Sequence, residues 1–381
     1  MRLFQYPLPV TKYGYFRWGK YNTERLEDSA PRICFTPKTM KCYYTCAHTH
    51  HPNYHHLIIE LEGKVIMKTV LLGNTGVQVS ALCLGAMYFG TRNDEATSFR
   101  LLDQYVEAGG SFIDTANIYA HWVKGFKGRE SEALLGRWMK SRKNRSKLFI
   151  ASKVGFEIPP LGVPRSLSAG WIESECEKSL QLLGCEAIDL YYAHTDDRSA
   201  PVEETLGAFE KLVNAGKARF IGASNFTAWR LEEARWTSAN HGWSEYCCVQ
   251  QRHTYLRPKP GASFSPQLAA NEDLFDYCRN RRITLLAYSA LLSGGYTRSD
   301  REIGEQYAGA DSQARMRNLR AVAEEKGCTV NQAILAWMLH GNPSVLPLIA
   351  ASTEAQLSEN LEALEINLTP SDMDRLDKAG G

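Results

Sequence analysis

Four side chains in the middle of the chain have the types and the spacing needed to hand a proton to a carbonyl. Ser111-Phe-Ile-Asp114 is a short apolar run ending in a carboxylate. Leu148-Phe-Ile-Ala-Ser-Lys153 ends in an ammonium, and Ile188-Asp-Leu-Tyr-Tyr-Ala-His194 ends in an imidazole. Tyr119 follows Asp114 by five residues. A carbonyl that accepts hydride needs a proton for the developing alkoxide. A tyrosine titrates near 10, high for that work, and a neighbouring ammonium favours its phenolate and lowers that value. The expectation is therefore a Tyr119 made acidic by Lys153, with Asp114 holding Lys153 protonated. His194 would donate a hydrogen bond to the substrate oxygen. Alone, each residue has a plain structural reading as a turn residue, a solvated lysine, a satisfied core histidine or a loop aromatic. Their joint occurrence at the ends of successive apolar runs carries the chemistry.

Residues that must meet at one place need elements to put them there. From Met67 onward short apolar runs alternate with longer amphipathic ones. The expected strands are Ala81–Leu84, Ser111–Asp114, Leu148–Ser152, Ala187–His194, Ala218–Gly222, Cys247–Gln250, Ile283–Ala287 and Val345–Ile349. Expected helices follow each: 94–107, 130–139, 169–183, 201–214, 228–240, 267–280, 312–326 and 354–364, with a further helix over 331–339 before the last strand. Gly184, Gly216 and Gly327 stand where helices should stop. Eight strand-then-helix units predict a parallel sheet closed into a (β/α)8 TIM barrel. Lys68–Leu72 and Val77–Val79, flanking Gly73-Asn-Thr-Gly76, predict an N-terminal β-hairpin. An open nucleotide-binding sheet would need a Gly-x-Gly-x-x-Gly turn after a first strand, and none is present. On the barrel, strand ends and the loops after them form the reactive face, which would bring Asp114, Lys153 and His194 to one rim with Tyr119 folded over them.

These segments resemble the aldo-keto reductase family. Gly109-Gly-Ser-Phe-Ile-Asp-Thr-Ala-Asn-Ile-Tyr119 is similar to its first active-site signature, and Gly128-Arg-Glu-Ser-Glu-Ala-Leu-Leu-Gly136 to the segment after it. Ala151-Ser-Lys-Val-Gly155 and Ile188–His194 match the next two blocks. The resemblance runs from about Met67 to the C-terminus. It implies that Asp114, Tyr119, Lys153 and His194 are the catalytic Asp, Tyr, Lys and His. It also implies a nicotinamide cofactor held by Ser224 and Asn225 (in Phe220-Ile-Gly-Ala-Ser-Asn225) and by Gln250, with Tyr288 stacked on the ring. Ser289 and the loop to Gly294-Gly295 would run beside the pyrophosphate. In the loop after strand eight, Ser352, Gln356 and Asn360 fall at cofactor positions, with Glu359 and Asn360 matching the adenine end. Many relatives place a cation there for the 2′-phosphate of NADP, whereas this chain has Ala350, Ala351, Ser352 and Gln356. NADP is the expected cofactor and NAD the alternative.

The implied function is NAD(P)-dependent interconversion of a small-molecule carbonyl, aldehyde or ketone, and its alcohol by hydride transfer, with Tyr119 as general acid/base. The alternative is a cofactor-binding regulatory subunit resembling channel-associated members of the family. Trp122 and Phe126 could wall a substrate pocket or simply pack their own loop.

Of the 381 residues, residues 67–381 carry 35 Lys/Arg against 37 Asp/Glu, which gives no bulk electrostatic case for nucleic acid or an acidic membrane. No apolar run approaches the ~20 residues of a membrane span, and the N-terminus lacks the apolar run of a secretory leader. Ten cysteines in so long a chain, most within apolar runs, point to free thiols and a reducing, cytoplasmic setting. Oligomeric state is not set by these patterns. Residues 1–66 mix aromatic, basic and histidine residues without period and are expected to be an irregular extension. Their Cys42-x-x-x-Cys46-x-His48-x-His50-His51-x-x-x-His55-His56 run fits no standard zinc spacing, so no metal site is expected.

Overall fold

The computed structural model describes residues 65–380 and, upstream, the backbone of three strands: β1 (Arg32–Thr36), β2 (Thr39–Tyr43) and β3 (Leu61–Glu62). β1 pairs with β2 and β2 with β3, both antiparallel, so the extension holds regular pairing where the sequence pattern suggested none. The chain divides into two compact units, Met1–Lys64 and Val65–Gly381. Apart from the backbone of β2, the Cys42–His56 run lies outside the described residues.

In the larger unit a hairpin, β4 (Thr69–Leu71) and β5 (Gln78–Ser80), precedes eight parallel strands. These are β6 (Cys83–Gly85), β7 (Phe112–Asp114), β8 (Phe149–Val154), β9 (Ile188–Ala193), β10 (Ala218–Ser224), β11 (Tyr246–Arg252), β12 (Thr284–Tyr288) and β13 (Val345–Ile349). Each pairs with its sequence neighbour, and β13 pairs with β6 to close the ring. Strands such as β8 and β9 are buried at every position, which is why they read as unbroken apolar runs rather than as alternation.

Helices α1 (Glu95–Glu107), α2 (Glu130–Arg142), α3 (Ala169–Leu183), α4 (Val202–Asn214), α5 (Ala228–His241), α6 (Glu272–Arg281), α7 (Ala310–Lys326), α8 (Val330–His340) and α9 (Glu354–Glu362) fill the connections. In α3, Ile172, Cys176, Ser179, Leu180 and Leu183 are buried, a stripe at helical spacing, and left-handed Gly184 ends the helix. The (β/α)8 barrel expected from the sequence is thus the fold. Two helical expectations need correction. α6 starts at Glu272 rather than Gln267, because residues 268–270 instead pair with Arg252 (Arg252 N to Leu268 O, 3.1 Å; Ala270 N to Arg252 O, 2.8 Å) and Asn271 then caps the helix. A last helix, α10 (Pro370–Asp377), was missed although Thr369 and Asp372 form a capping box with Pro370 at the first turn.

There are two main cores, besides a small cluster of Ala116, Ile118, Ile158 and Val163 in the loops after β7 and β8. One fills the space between strands and helices; the other lies inside the ring and includes Cys83, Phe112, Phe149, Leu190, Tyr192, Cys248, Leu286 and Leu346. Leu72 and Val79 of the hairpin belong to the inner core, so the hairpin stops the end of the barrel where the strands begin. Its turn fits closely. Gly73 donates to Thr284 Oγ1 at 2.8 Å, has φ +50°, and a Cβ there would stand 2.2 Å from the Cys247 carbonyl oxygen. With that end of the ring sealed, its interior is approached from the end where the strands finish. Cys83, Cys176, Cys247, Cys248 and Cys278 are buried free thiols acting as small apolar residues.

Gly76 offers an internal control, since it also has positive φ (+74°) but nothing within 4 Å of its would-be Cβ. Gly73→Ala should lose about 3 kcal/mol of unfolding free energy and Gly76→Ala about 1 kcal/mol. Urea denaturation of both variants checks this, and equal losses would remove the plug from the account.

Candidate active site

β7, β8 and β9 are adjacent in the ring, with Asp114 opposite Ala151 and Lys153 opposite Tyr192. Their finishing residues therefore meet. Lys153 is wholly buried and Asp114 nearly so. The Lys153 ammonium has three protons and three acceptors: Asp114 Oδ1, the Thr115 carbonyl at 2.8 Å and the Tyr119 hydroxyl oxygen at 2.9 Å. A lysine ammonium can only donate, so the Tyr119 oxygen accepts and its own proton is left to point elsewhere. His194 follows β9 directly, with its ring centroid 5.9 Å from that of Tyr119. All four sequence-predicted catalytic residues converge.

The electrostatics differ from the expectation in one respect. Burial would lower the Lys153 pKa, but Asp114 and Tyr119 more than offset it, and the ammonium is held above its ordinary value. Burial raises Asp114, with Lys153 and Gln250 pulling it back. Tyr119 was expected to be more acidic than usual. Instead its pKa is raised: burial pushes it up, Lys153 pulls it down, and the negative charge of Asp114 pushes it up again. Tyr119 is only half-buried, so water tempers that rise. The lysine's charge is largely spent on the aspartate, and Tyr119 stays a neutral phenol, the form that can give a proton. Burial, reinforced by the positive Lys153, holds His194 well below the ordinary imidazole range and therefore neutral. Its Nδ1 is buried and has no partner among the described residues.

The residues expected at a nicotinamide come together on the next strands. Ser224 and Gln250 are register partners on β10 and β11. Asn225 has left-handed backbone (φ +59°) and donates through Nδ2 to His194 O at 3.0 Å and Ser224 Oγ at 3.2 Å. Tyr288 ends β12 and donates to Asn225 Oδ1 at 2.7 Å. Gln250 Nε2 donates to Asp114 Oδ2 at 2.9 Å, joining this group to the acid–base group. Ser289 follows Tyr288, also in left-handed backbone (φ +58°). Ser352, Gln356 and Asn360 form a separate cluster after β13. Gln356 accepts from Ser352 N at 2.8 Å, and Asn360 donates to Ala350 O at 3.1 Å. Ser224 and Gln250 carry the hydroxyl and amide groups that a primary carboxamide can bond; Asn225, held at both ends of its amide by His194 O, Ser224 Oγ, Leu268 N and Tyr288, fixes them in place, and His194 has a buried, unpartnered Nδ1. These residues fit a nicotinamide.

Sequence reasoning missed the layer behind the site. Gly128-Arg-Glu-Ser-Glu was recognised without a role. Here Arg129 donates to both oxygens of buried Glu175 on α3 (2.9 and 2.7 Å), and Asn117, in the Tyr119 loop, donates to the same carboxylate at 2.8 Å. Ser131 bonds Thr115 at 2.7 Å, and Glu132 accepts from Ser152, the residue before Lys153, at 2.6 Å. The only signal in the sequence was the dense polar run Arg129-Glu-Ser-Glu132 at the start of the helix. Trp122, one of the two loop aromatics of open role, sits edge-on to Tyr119 at 6.2 Å between centroids and is 44% exposed. Phe156 packs edge-on to His194 at 4.8 Å.

The Aldo/keto reductase family profile matches residues 81–380. This chain belongs to the aldo/keto reductase family. It is 31% identical to the norsolorinic acid reductase of Emericella nidulans over 323 residues, which is 80% of this chain and 79% of the relative. It is also 31% identical to the oxidoreductase YrpG of Bacillus subtilis, covering 79% of this chain and 92% of that one. Among solved structures, a thermostable aldo-keto reductase crystallised with the inhibitor epalrestat superposes with a TM-score of 0.65 at 29% identity, covering 83% of this chain and all of the other. As an aldo/keto reductase the chain is an oxidoreductase of carbonyl and alcohol groups with a small-molecule substrate. Among the described residues no helix is long and apolar enough to cross a membrane.

Glu175→Ala would leave the Arg129 guanidinium without its counter-charge and release Asn117. Breaking such a buried pair should cost about 3 kcal/mol of stability and lower kcat through the loosened Tyr119 loop. Thermal melting with steady-state kinetics checks this; a variant with wild-type stability and turnover would make the layer incidental.

Proposed function

We propose that the protein is an NAD(P)-dependent carbonyl reductase in which Tyr119 is the proton donor. The observation that carries this reading is the Tyr119 hydroxyl, which accepts from Lys153 and so keeps its proton free, beside a neutral His194. A bound reduced nicotinamide nucleotide supplies the hydride. Ser224, Asn225 and Gln250 would hold its carboxamide and so choose the ring face presented, with Tyr288 against the ring. The substrate oxygen would sit between Tyr119 and the His194 imidazole. His194 would orient it by a hydrogen bond, and Tyr119 would transfer its phenolic proton to the alkoxide as charge develops. Lys153 then faces a phenolate, and its raised pKa keeps it cationic to stabilise that charge. Trp122 and Phe156 flank these two groups and favour an apolar, flat carbonyl substrate. That agrees with the family's general use of NAD(P)H and with relatives named as reductases. NADP is proposed first from the family resemblance, and NAD second because the loop around Ser352 and Gln356 offers no cation for a 2′-phosphate. A cytoplasmic location is proposed from the free buried thiols.

Tyr119→Phe should keep nucleotide binding and lose a factor of about 10²–10⁴ in kcat for aldehyde reduction. Near-normal turnover would reject the assigned donor. In the parent enzyme, a phenol with a raised pKa implies that kcat for reduction is level through neutral pH. It should fall only as pH passes the ordinary tyrosine value of 10.0, where the proton is lost. A pH–rate profile falling through pH 7–8 would point to a different acid.

A further inference from the structure

Arg252 ends β11, two residues beyond Gln250, and the chemistry above gives it no task. Its guanidinium is half-buried, and among the described residues it makes no ion pair. Its partners are neutral: Nε donates to the Tyr307 hydroxyl at 3.1 Å, and Nη1 to Gln267 Oε1 at 2.9 Å and Ser289 Oγ at 3.4 Å. Phe264 lies 4.6 Å and Tyr307 5.9 Å from its central carbon, measured to the ring centroids. Nη2 has no protein acceptor among the described residues. Other withdrawn arginines in this barrel are answered more fully: Arg129 by Glu175, Arg145 by Asp189, Arg230 by Asp196, Arg235 by Glu232, and buried Arg315 by the backbone carbonyls of Tyr255, Asp377 and Ala379. Aromatic faces and neutral acceptors fix the plane of the Arg252 group without neutralising it, and a cation drawn out of water without a counter-charge is costly. Such a group is stable and useful when an incoming anion completes it.

Its neighbours indicate which anion. On β12 its register partner is Tyr288, and its hydrogen bond reaches Ser289, the two residues expected beside the nicotinamide and the pyrophosphate. None of the residues assigned to the nucleotide from the sequence is a cation, and Arg298, which packs on Gly294 of that loop, is already paired with Asp300. We infer that Arg252 is an anion-binding residue of the cofactor site, gripping the pyrophosphate of the nicotinamide nucleotide beside Ser289. This rests on the nicotinamide reading proposed above. A carboxylate on the substrate has the same chemistry and is the competing source.

Arg252→Met, which keeps an apolar stem between Phe264 and Tyr307, and Arg252→Lys separate the two sources. Dissociation constants for NADPH and NADH would be measured by titration calorimetry at low and high salt. KM would be measured for benzaldehyde and for 4-carboxybenzaldehyde at saturating cofactor. The expected result is a rise of about 10–100-fold in Kd for both nucleotides in the Met variant, the loss of one charged hydrogen-bonding group. Binding should become less salt-dependent, recover partly in the Lys variant, and the two aldehydes should respond alike. An unchanged Kd overturns the proposal. So does a rise in KM confined to the carboxylated aldehyde, which would move the anion to the substrate. If the Met variant fails to fold, the Lys variant decides on the same readouts. Absence of nucleotide binding by the parent protein would overturn the nicotinamide reading itself, whereas the other two results overturn only the role of Arg252.

Discussion

The structure turns on an ion pair that has no water around it. Asp114 and Lys153 meet inside a ring of strands, where either charge alone would be intolerable. Every polar position on the pair is taken. One carboxylate oxygen goes to the ammonium and the other to Gln250, and the ammonium's remaining donors go to a backbone carbonyl and to Tyr119. Because the pair is complete, the tyrosine oxygen is held as an acceptor and its proton is directed outward. The same neutrality explains why the lysine does not make that phenol strongly acidic. A balanced pair exerts little net field, and burial then prevails. On the proposed reading, the site would donate a proton at the moment negative charge appears, rather than hold a phenolate in advance.

Around the pair lies a second tier that determines where its members stand. Arg129, Glu175 and Asn117 tie the Tyr119 loop to α3, while Ser131 and Glu132 reach the residues adjoining Asp114 and Lys153. Strand ends are the most mobile part of a barrel strand, and here two helices, α2 and α3, hold them from outside.

The ring itself was legible because parallel strands buried on both faces leave unbroken apolar runs, and glycines mark the ends of helices. The meeting of the four side chains was legible because three successive apolar runs finish in an ionisable residue, with Tyr119 five residues beyond the first. What could not be read was mostly a matter of competition between partners. Residues 267–271 have helical composition, but backbone pairing with Arg252 was available and was preferred. Arg252 itself looked like any strand-end cation, since its lack of a carboxylate is a fact of three dimensions. The sign of the shift at Tyr119 was misjudged for a related reason. The sequence shows that a lysine is near, but not that an aspartate has already claimed it.

The hydrogen bond from Gln250 to Asp114 joins residues 136 positions apart in the chain. The residues proposed for acid–base work sit on the early strands and those proposed for the nucleotide on the later ones, so each half can be in place before the other. While Asn225 reaches the His194 carbonyl from the next strand, this bond crosses the ring between them. During folding it can form only after the sheet has curled and shut, so the aspartate stays under-satisfied in any half-assembled barrel. Assembly and competence are thereby linked: a nascent or nicked chain lacking its later strands would retain the four reactive side chains and still lack the orientation that makes them an enzyme.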